Sequence, residues 1–189
     1  MQDTNDDPRP DLNQVIETVG DLVKGTQEVD FAKATPCSEF NVGNLLDHMI
    51  SVLNRVGALG NGAPFSSVEE EVFTERASAW GDFAKTAEQA WSDDSKLGET
   101  FEVPWGSFPG AALLVFYTAE YAVHGWDLAQ ATGRKLELPD EILSSALLTI
   151  KMIPAEGREA EEVPFDVPTD SGENVSTLEK VVAWTGREV

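Results

Sequence analysis

Hydrophobic residues recur at intervals of three and four along most of this chain, a spacing that predicts helices. Residues 11–25 keep this spacing throughout, and a glycine at position 25 is a suitable end for the helix. A second helix is predicted from Ser38, the candidate N-cap, and a third from Val68 to Trp91. The fourth and longest helix is predicted from Phe108 to Arg134, with Gly133 as its stop.

Four amphipathic helices of these lengths predict an all-α fold, and an up-and-down four-helix bundle is the arrangement they favour. Two shorter helices are predicted after the bundle, from Pro139 to Met152 and from Val175 to Trp184, with a loop rich in proline and acidic residues between them. We therefore expect residues 1–134 to form the bundle. Residues 135–189 would form C-terminal helices and a loop that pack on it as an appendage.

Both histidines of the chain fall on helix sides that the pattern assigns to the core. His48 follows Leu45 by three residues and precedes Val52 by four, so it lies on the inner side of the second helix. His124 shares the apolar stripe of the fourth helix with Glu120, which lies one turn before it. Burying an imidazole or a carboxylate without a partner costs several kcal/mol, so we expect these groups to bind a common partner.

Two neutral imidazoles and one carboxylate are suitable ligands for zinc, nickel or ferrous iron, and they leave coordination positions open. A second interpretation stays open from the residues alone. Glu120 and His124 would then form an ordinary helix ion pair worth about 0.3 kcal/mol, and His48 would be a core histidine bonded to a carbonyl. Asp127 would either orient His124 as a ligand or cap and pair elsewhere.

The net charge of −21 argues against two classes of partner. Such a surface repels nucleic-acid phosphates and anionic lipids, and the sequence has no basic patch to offset it. No apolar run approaches the roughly 18 residues of a membrane span, and the first residues lack a signal-peptide pattern, so we expect a cytoplasmic protein. The single Cys37 forms no internal disulfide. It is either a structural, partly buried cysteine or a thiol whose pKa is lowered at the start of the second helix.

Two segments of the chain resemble a known family. TPCSEFNVGNLLDHM, followed far downstream by YTAEYAVHGWDLAQATGR, is similar to the DinB-like metal-binding bundles of actinobacteria. The resemblance is to the N-terminal domain of mycothiol-dependent maleylpyruvate isomerases and their short relatives, and it extends from the first helix to Arg134. In that family one histidine of the second helix and a Glu-x-x-x-His pair of the fourth hold a divalent ion. The resemblance therefore implies His48, Glu120 and His124 as metal ligands.

The resemblance also implies a function: a mycothiol-type isomerase or S-transferase in which the metal activates the thiol. Such an enzyme needs a divalent ion, with zinc the first candidate, together with mycothiol or another low-molecular-weight thiol and an electrophilic substrate. The isomerases carry a sizeable C-terminal domain, and the segment after Arg134 is too short for a full copy. Two alternatives stay open: a bundle that holds its ion for stability or sensing without turnover, and a helical interaction protein with no ion. The native metal, the electrophile and the presence of a homodimer are left open as well.

Overall fold

A computed structural model describes residues 7–153, 155–156, 158, 165–172 and 174–189 of the chain. Over these residues the protein is mainly helical, as the hydrophobic pattern predicts. Two short strands, β1 (Thr100–Val103) and β2 (Gly106–Pro109), form an antiparallel hairpin. The helices are α1 (Arg9–Gly25), α2 (Val42–Gly60), α3 (Arg76–Ala90), α4 (Ser95–Gly98), α5 (Gly110–Thr132), α6 (Asp140–Ile150) and α7 (Thr177–Trp184).

The four longest helices pack around one apolar core. α1 and α2 each contact both α3 and α5, so each of the four helices touches two of the others. Close packing of α1 on α5 depends on Gly125, because a Cβ at this position would lie 2.7 Å from the Cγ2 of Val19. The whole stripe predicted for the first helix is buried in this core: Leu12, Val15, Ile16, Val19, Leu22 and Val23.

Both α2 and α3 begin later than the sequence predicts. The N-cap of α2 is Asn41 and not Ser38, since the Asn41 side chain accepts a hydrogen bond from the backbone N–H of Asn44. The third helix begins at Arg76 and not at Val68. Polar side chains of α2 bind the backbone of the segment before α3, and these contacts replace the helical hydrogen bonds that the local pattern favours.

α5 begins later than predicted but ends at Gly133 as expected. Pro109 belongs to β2 and serves as the N-cap, so the helix begins at Gly110. At the other end, Gly133 adopts a left-handed conformation with φ of 68°, which a glycine accepts without steric cost. The long central helix therefore carries both predicted site residues well inside its ends.

The last two helices lie against α5. α6 contacts α5 and α7, and α7 contacts α5 and α6. α7 begins at Thr177, where Ser176 and Glu179 form a capping box. The division of the chain at residue 134 stays a prediction. Among the described residues, no helix combines the length and the apolar character needed to cross a membrane.

Candidate metal centre

The structure brings His48, Glu120 and His124 together. The Oε1 atom of Glu120 lies 3.5 Å from Nε2 of His48 and 3.4 Å from Nε2 of His124. The centroids of the two imidazole rings are 5.1 Å apart. Ligands that each bind a tetrahedral ion at about 2.0–2.1 Å are about 3.4 Å from one another. The two separations from Glu120 therefore match those of ligands on one shared ion.

A buried carboxylate orients His124. The Nδ1 atom of His124 lies 3.1 Å from Oδ2 of Asp127, whose side chain is completely buried. Arg187 donates to the same Oδ2 at 2.9 Å and so holds the carboxylate in place. When Nδ1–H donates to Asp127, the neutral ring presents an unprotonated Nε2 toward Glu120, which is the nitrogen that a metal would use.

His48 has a similar arrangement on its other side. Its Nδ1 atom lies 3.3 Å from Oε1 of Glu70, a half-exposed residue in the segment before α3. Arg55 lies 3.6 Å from the same Glu70 oxygen. Phe40 stacks on the His48 ring, with centroids 4.9 Å apart. Both imidazoles are thus held at Nδ1 by a carboxylate and direct Nε2 at Glu120.

The close contacts between carboxylates and imidazoles shift the pKa values of Glu120 and His48. Burial raises the pKa of the Glu120 carboxyl, but the charge of His124 and hydrogen bonds from both imidazoles outweigh burial and hold this pKa well below its ordinary value. Burial opposes protonation of His48, yet Glu120 and Glu70 together raise its pKa to about 9. The metal-free cluster therefore binds a proton where a divalent ion would compete for the same nitrogen.

A cavity of about 280 Å³ opens beside these groups. One side of it is a row of four aromatic rings, the aromatic wall, formed by Phe65, Trp105, Phe116 and Phe165. Successive ring centroids along the row are 5.3, 5.4 and 5.8 Å apart. A volume of this size is near the lower end for small-molecule sites, so the candidate ligands face a space that a small compound would fill.

Cys37 lies at the same cavity and belongs to a second group of possible ligands with His124 and Asp127. Burial raises the pKa of its thiol, and the nearby charge of Arg187 only partly offsets this effect. These observations favour the structural, partly buried cysteine over a thiol with a lowered pKa, because α2 begins at Val42 and Cys37 is not at its first turn. The first group fits a metal better, since Asp127 is already bonded to Arg187.

Sequence reasoning missed Glu70 and Arg187. Glu70 falls in a segment whose pattern predicts a helix, and Arg187 lies in sequence far from the residue it binds. Clusters of acids are common in this chain, so composition gave no reason to select one of them. A buried Asp127 predicts a basic partner such as an arginine, but this argument does not identify which arginine it is.

Comparisons with known proteins add to this picture. No protein-family model matches the chain. It is 25% identical over 157 residues to an uncharacterized protein found in two strains of Mycobacterium tuberculosis, over 82% of this chain and 84% of that protein. The crystal structure of the mycothiol-dependent maleylpyruvate isomerase aligns with a TM-score of 0.56 and 12% identity. That alignment covers 76% of this chain and 66% of the isomerase chain.

The chain therefore shares the fold of the isomerase, as the two resembling segments predict, and spans about two thirds of its length. At this level of identity the similarity is one of fold. The remaining part of the isomerase chain lies outside the alignment.

Proposed function

We propose that the chain binds a divalent metal ion through His48, Glu120 and His124. The observation that carries the proposal is the pair of donor separations, 3.4 and 3.5 Å. Both are longer than the usual N···O distance of a hydrogen bond, about 2.9–3.0 Å, so the imidazole–carboxylate hydrogen bonds are weak, and both suit ligands on one tetrahedral ion. Zinc fits such a mixed nitrogen and oxygen set, and nickel and ferrous iron accept the same ligands.

The helix contacts support an architecture for this site. Mutual contacts among α1, α2, α3 and α5 favour the up-and-down four-helix bundle, with residues 1–134 as the metal-binding unit. Residues 135–189 would then be an appendage packed on the bundle. Its contribution to the centre is Arg187, which bonds to Asp127 behind His124.

The site would serve a thiol-dependent isomerase or S-transferase of the mycothiol type. Two observations support this class: the fold is shared with the mycothiol-dependent isomerase, and His48, Glu120 and His124 line the cavity, so an ion held by them would be open to a ligand there. A divalent ion supplies the Lewis acidity that lowers the pKa of a bound thiol. Low-molecular-weight thiols are reduced in the cytoplasm, which is where we place the protein.

The chain's own residues prepare the reaction. Asp127 and Glu70 fix the two imidazoles so that each directs Nε2 at the centre. The aromatic wall excludes water from one side of the cavity and offers an apolar surface to the carbon part of the electrophile. The partners implied are a small-molecule thiol and an electrophilic substrate.

A second function, metal binding without turnover, is favoured by one observation. About a third of the isomerase chain lies outside the alignment. Groups of the isomerase that lie in that third would have to be replaced here by other residues. A stable, occupied centre that binds no thiol is the result that this alternative predicts.

The deciding experiment combines metal analysis with thiol titration. Protein purified without a histidine tag should contain one zinc per chain by elemental analysis. Adding a low-molecular-weight thiol should then produce ultraviolet thiolate absorbance near neutral pH. Cys37→Ser is the matched control, since Cys37 is the only thiol of the chain and its removal leaves the added thiol as the sole source of the signal. A stoichiometric divalent metal without thiol binding would reject the enzyme, and absence of zinc, nickel and iron alike would reject the metal centre.

A further inference from the structure

The segment that joins α2 to α3, residues 61–75, runs along α2 beside the candidate metal centre, and we call it the strap. The structure describes every residue of the strap, and none of them is buried. No backbone–backbone hydrogen bond joins residues 64–74 to another segment of the described chain. A segment with few buried side chains and few backbone bonds to its surroundings opens more easily than the rest of a fold.

Ser51 and Arg55, one turn apart on α2, hold the middle of the strap. The hydroxyl of Ser51 accepts a hydrogen bond from the backbone N–H of Glu71 at 3.1 Å. Arg55 donates to the carbonyl of Val68 at 3.1 Å, and its guanidinium carbon lies 4.6 Å from the centroid of the Phe65 ring. Since the strap is not buried, water competes for these polar contacts, and each of them contributes little to closure.

The two ends of the strap are held differently. At its start, Gly62 has a φ of 82°, and no other part of the described chain lies within 4 Å of the position that its Cβ would take. At its end, the backbone N–H of Phe73 donates to the carboxylate of Asp47 at 3.0 Å, and Arg76 pairs with the same carboxylate. An uncrowded glycine and a firmly bonded end therefore limit the part of the strap that can move.

The middle of the strap carries two groups of the candidate site. Phe65 forms one end of the aromatic wall, where its ring contacts that of Trp105. Glu70 lies 3.3 Å from Nδ1 of His48 and 3.6 Å from Arg55. If the middle of the strap moves away from α2, the wall loses one ring and His48 loses the carboxylate at its Nδ1. Opening would therefore uncover the cavity and the centre together.

We propose that residues 64–71 of the strap open and close over the candidate metal centre, and that an ion bound to His48 keeps them closed through Glu70. A ring that binds an ion through Nε2 keeps its proton on Nδ1, and the charge of the ion makes this N–H a stronger donor to Glu70. Because such coupling is reciprocal, closure strengthens ion binding by the same factor. The inference rests on the metal site of the proposed function, and it adds an element that regulates access to that site.

Residue-resolved hydrogen exchange of the full chain, with zinc and after chelation, tests this proposal. The reporter is the backbone N–H of Glu71, which is bonded to Ser51 while the strap is closed. Zinc should slow its exchange about tenfold, a factor within the usual range for two coupled sites. The backbone N–H of Phe73, which bonds to Asp47 at the fixed end, is the internal control, and its exchange should not change.

Three variants separate the effect of the ion from the opening of the strap itself. Glu70→Ala should abolish the difference in Glu71 exchange between zinc-loaded and chelated protein. Glu69→Ala is its matched control, because it removes the same charge from the preceding residue of the strap and should keep the difference. Arg55→Met should speed Glu71 exchange about tenfold in both samples, since it removes a charged hydrogen-bond donor that holds the middle of the strap.

Three results would overturn the proposal. Equal slowing at Glu71 and Phe73 would mean that zinc suppresses a larger unfolding event and not the opening of the strap. Slowing that persists in Glu70→Ala would mean that the ion does not act through this carboxylate. Unchanged Glu71 exchange in protein with one zinc per chain would exclude the coupling. Failure of the proposed function is distinguishable from all three, since it is read from metal content and thiol absorbance and not from exchange.

Discussion

Two buried polar clusters begin at neighbouring residues of α2, and they differ in how completely their groups are paired. The carboxylate of Asp47 accepts hydrogen bonds from Arg76 at 2.7 and 2.8 Å and from the backbone N–H of Phe73 at 3.0 Å. His48 meets carboxylates only at 3.3 and 3.5 Å. The Asp47 cluster is therefore saturated by short bonds, whereas the His48 cluster keeps donor atoms that no short bond uses.

The contrast shows that burial alone does not identify a binding site. Asp47 and His48 are both largely buried, and both have polar side chains. Asp47 joins α2 to the first residue of α3, Arg76, which also packs on Phe31 at 4.5 Å. His48 instead lines the cavity. A polar cluster whose contacts are long and whose side chains line a cavity is the one suited to an ion.

The largest expected effect is on folding, from Asp47→Ala. This change leaves Arg76 without its bidentate partner and should lower the free energy of unfolding by about 3 kcal/mol, because a buried pair is broken on one side. Zinc content of the folded protein should stay at one per chain. Urea unfolding and elemental analysis measure the two quantities. Parallel loss of zinc would mean that the clusters are not independent.

The next effect is on metal affinity, from His48→Ala and His124→Ala. Each removes a direct donor, so zinc affinity should fall by more than the roughly 10–100-fold typical of losing an outer partner. The free energy of unfolding in chelator should change less than in Asp47→Ala. Competition against a chromophoric chelator gives the affinity. Wild-type affinity in either variant would exclude that histidine from the centre.

A smaller effect is expected from Asp127→Asn. The amide keeps the shape of the side chain but loses the charge that pairs with Arg187 and fixes the ring of His124, so zinc affinity should drop about tenfold. Glu70→Gln is the matched comparison at His48, and it should cost less because Glu70 is half-exposed. The same competition assay applies. Equal losses would show that burial of the outer carboxylate has no influence.

The last expected effect is a pH dependence of stability in chelated protein, which comes from the His48 cluster. Its partners raise the pKa of His48 from 6.5 to about 9, so folding favours the protonated ring. The stability it contributes is complete below the lower value and is lost as pH rises through the higher one. Zinc affinity should change in the opposite direction, rising with pH over this range. Proton NMR titration of the ring follows the first change, and a midpoint near 6.5 would contradict it.

The helices and three clustered side chains could be predicted because the information is local. Helical spacing places Glu120 and His124 on one side of α5, and with two histidines in the chain the choice of a third ligand was narrow. The start of the third helix could not be predicted. Within its first eight predicted residues, 68–75, the backbone N–H groups of Glu71 and Phe73 bond to side chains of α2, a tertiary effect that no local pattern contains.

The residues that hold the candidate ligands in place were more difficult to predict, since they depend on contacts between distant parts of the chain. Arg187 and Asp127 are 60 residues apart in the sequence. Any of the other arginines could have paired with that carboxylate as far as its chemistry is concerned. The aromatic wall is similar: Phe65, Trp105, Phe116 and Phe165 come from four separate segments. Their meeting follows from how the helices and the hairpin pack.

The bond between Arg187 and Asp127 makes the centre sensitive to a distant helix. The backbone N–H of Arg187 also bonds to Val182 and its Nη1 to the carbonyl of Thr185, so the guanidinium moves only if the end of α7 moves. If α7 moved away from α5, the buried carboxylate of Asp127 beside His124 would lose its arginine partner. We therefore expect α7 and the centre to unfold in a single cooperative step. Substitutions in α7 would then change the metal affinity of the centre although α7 contains none of its ligands.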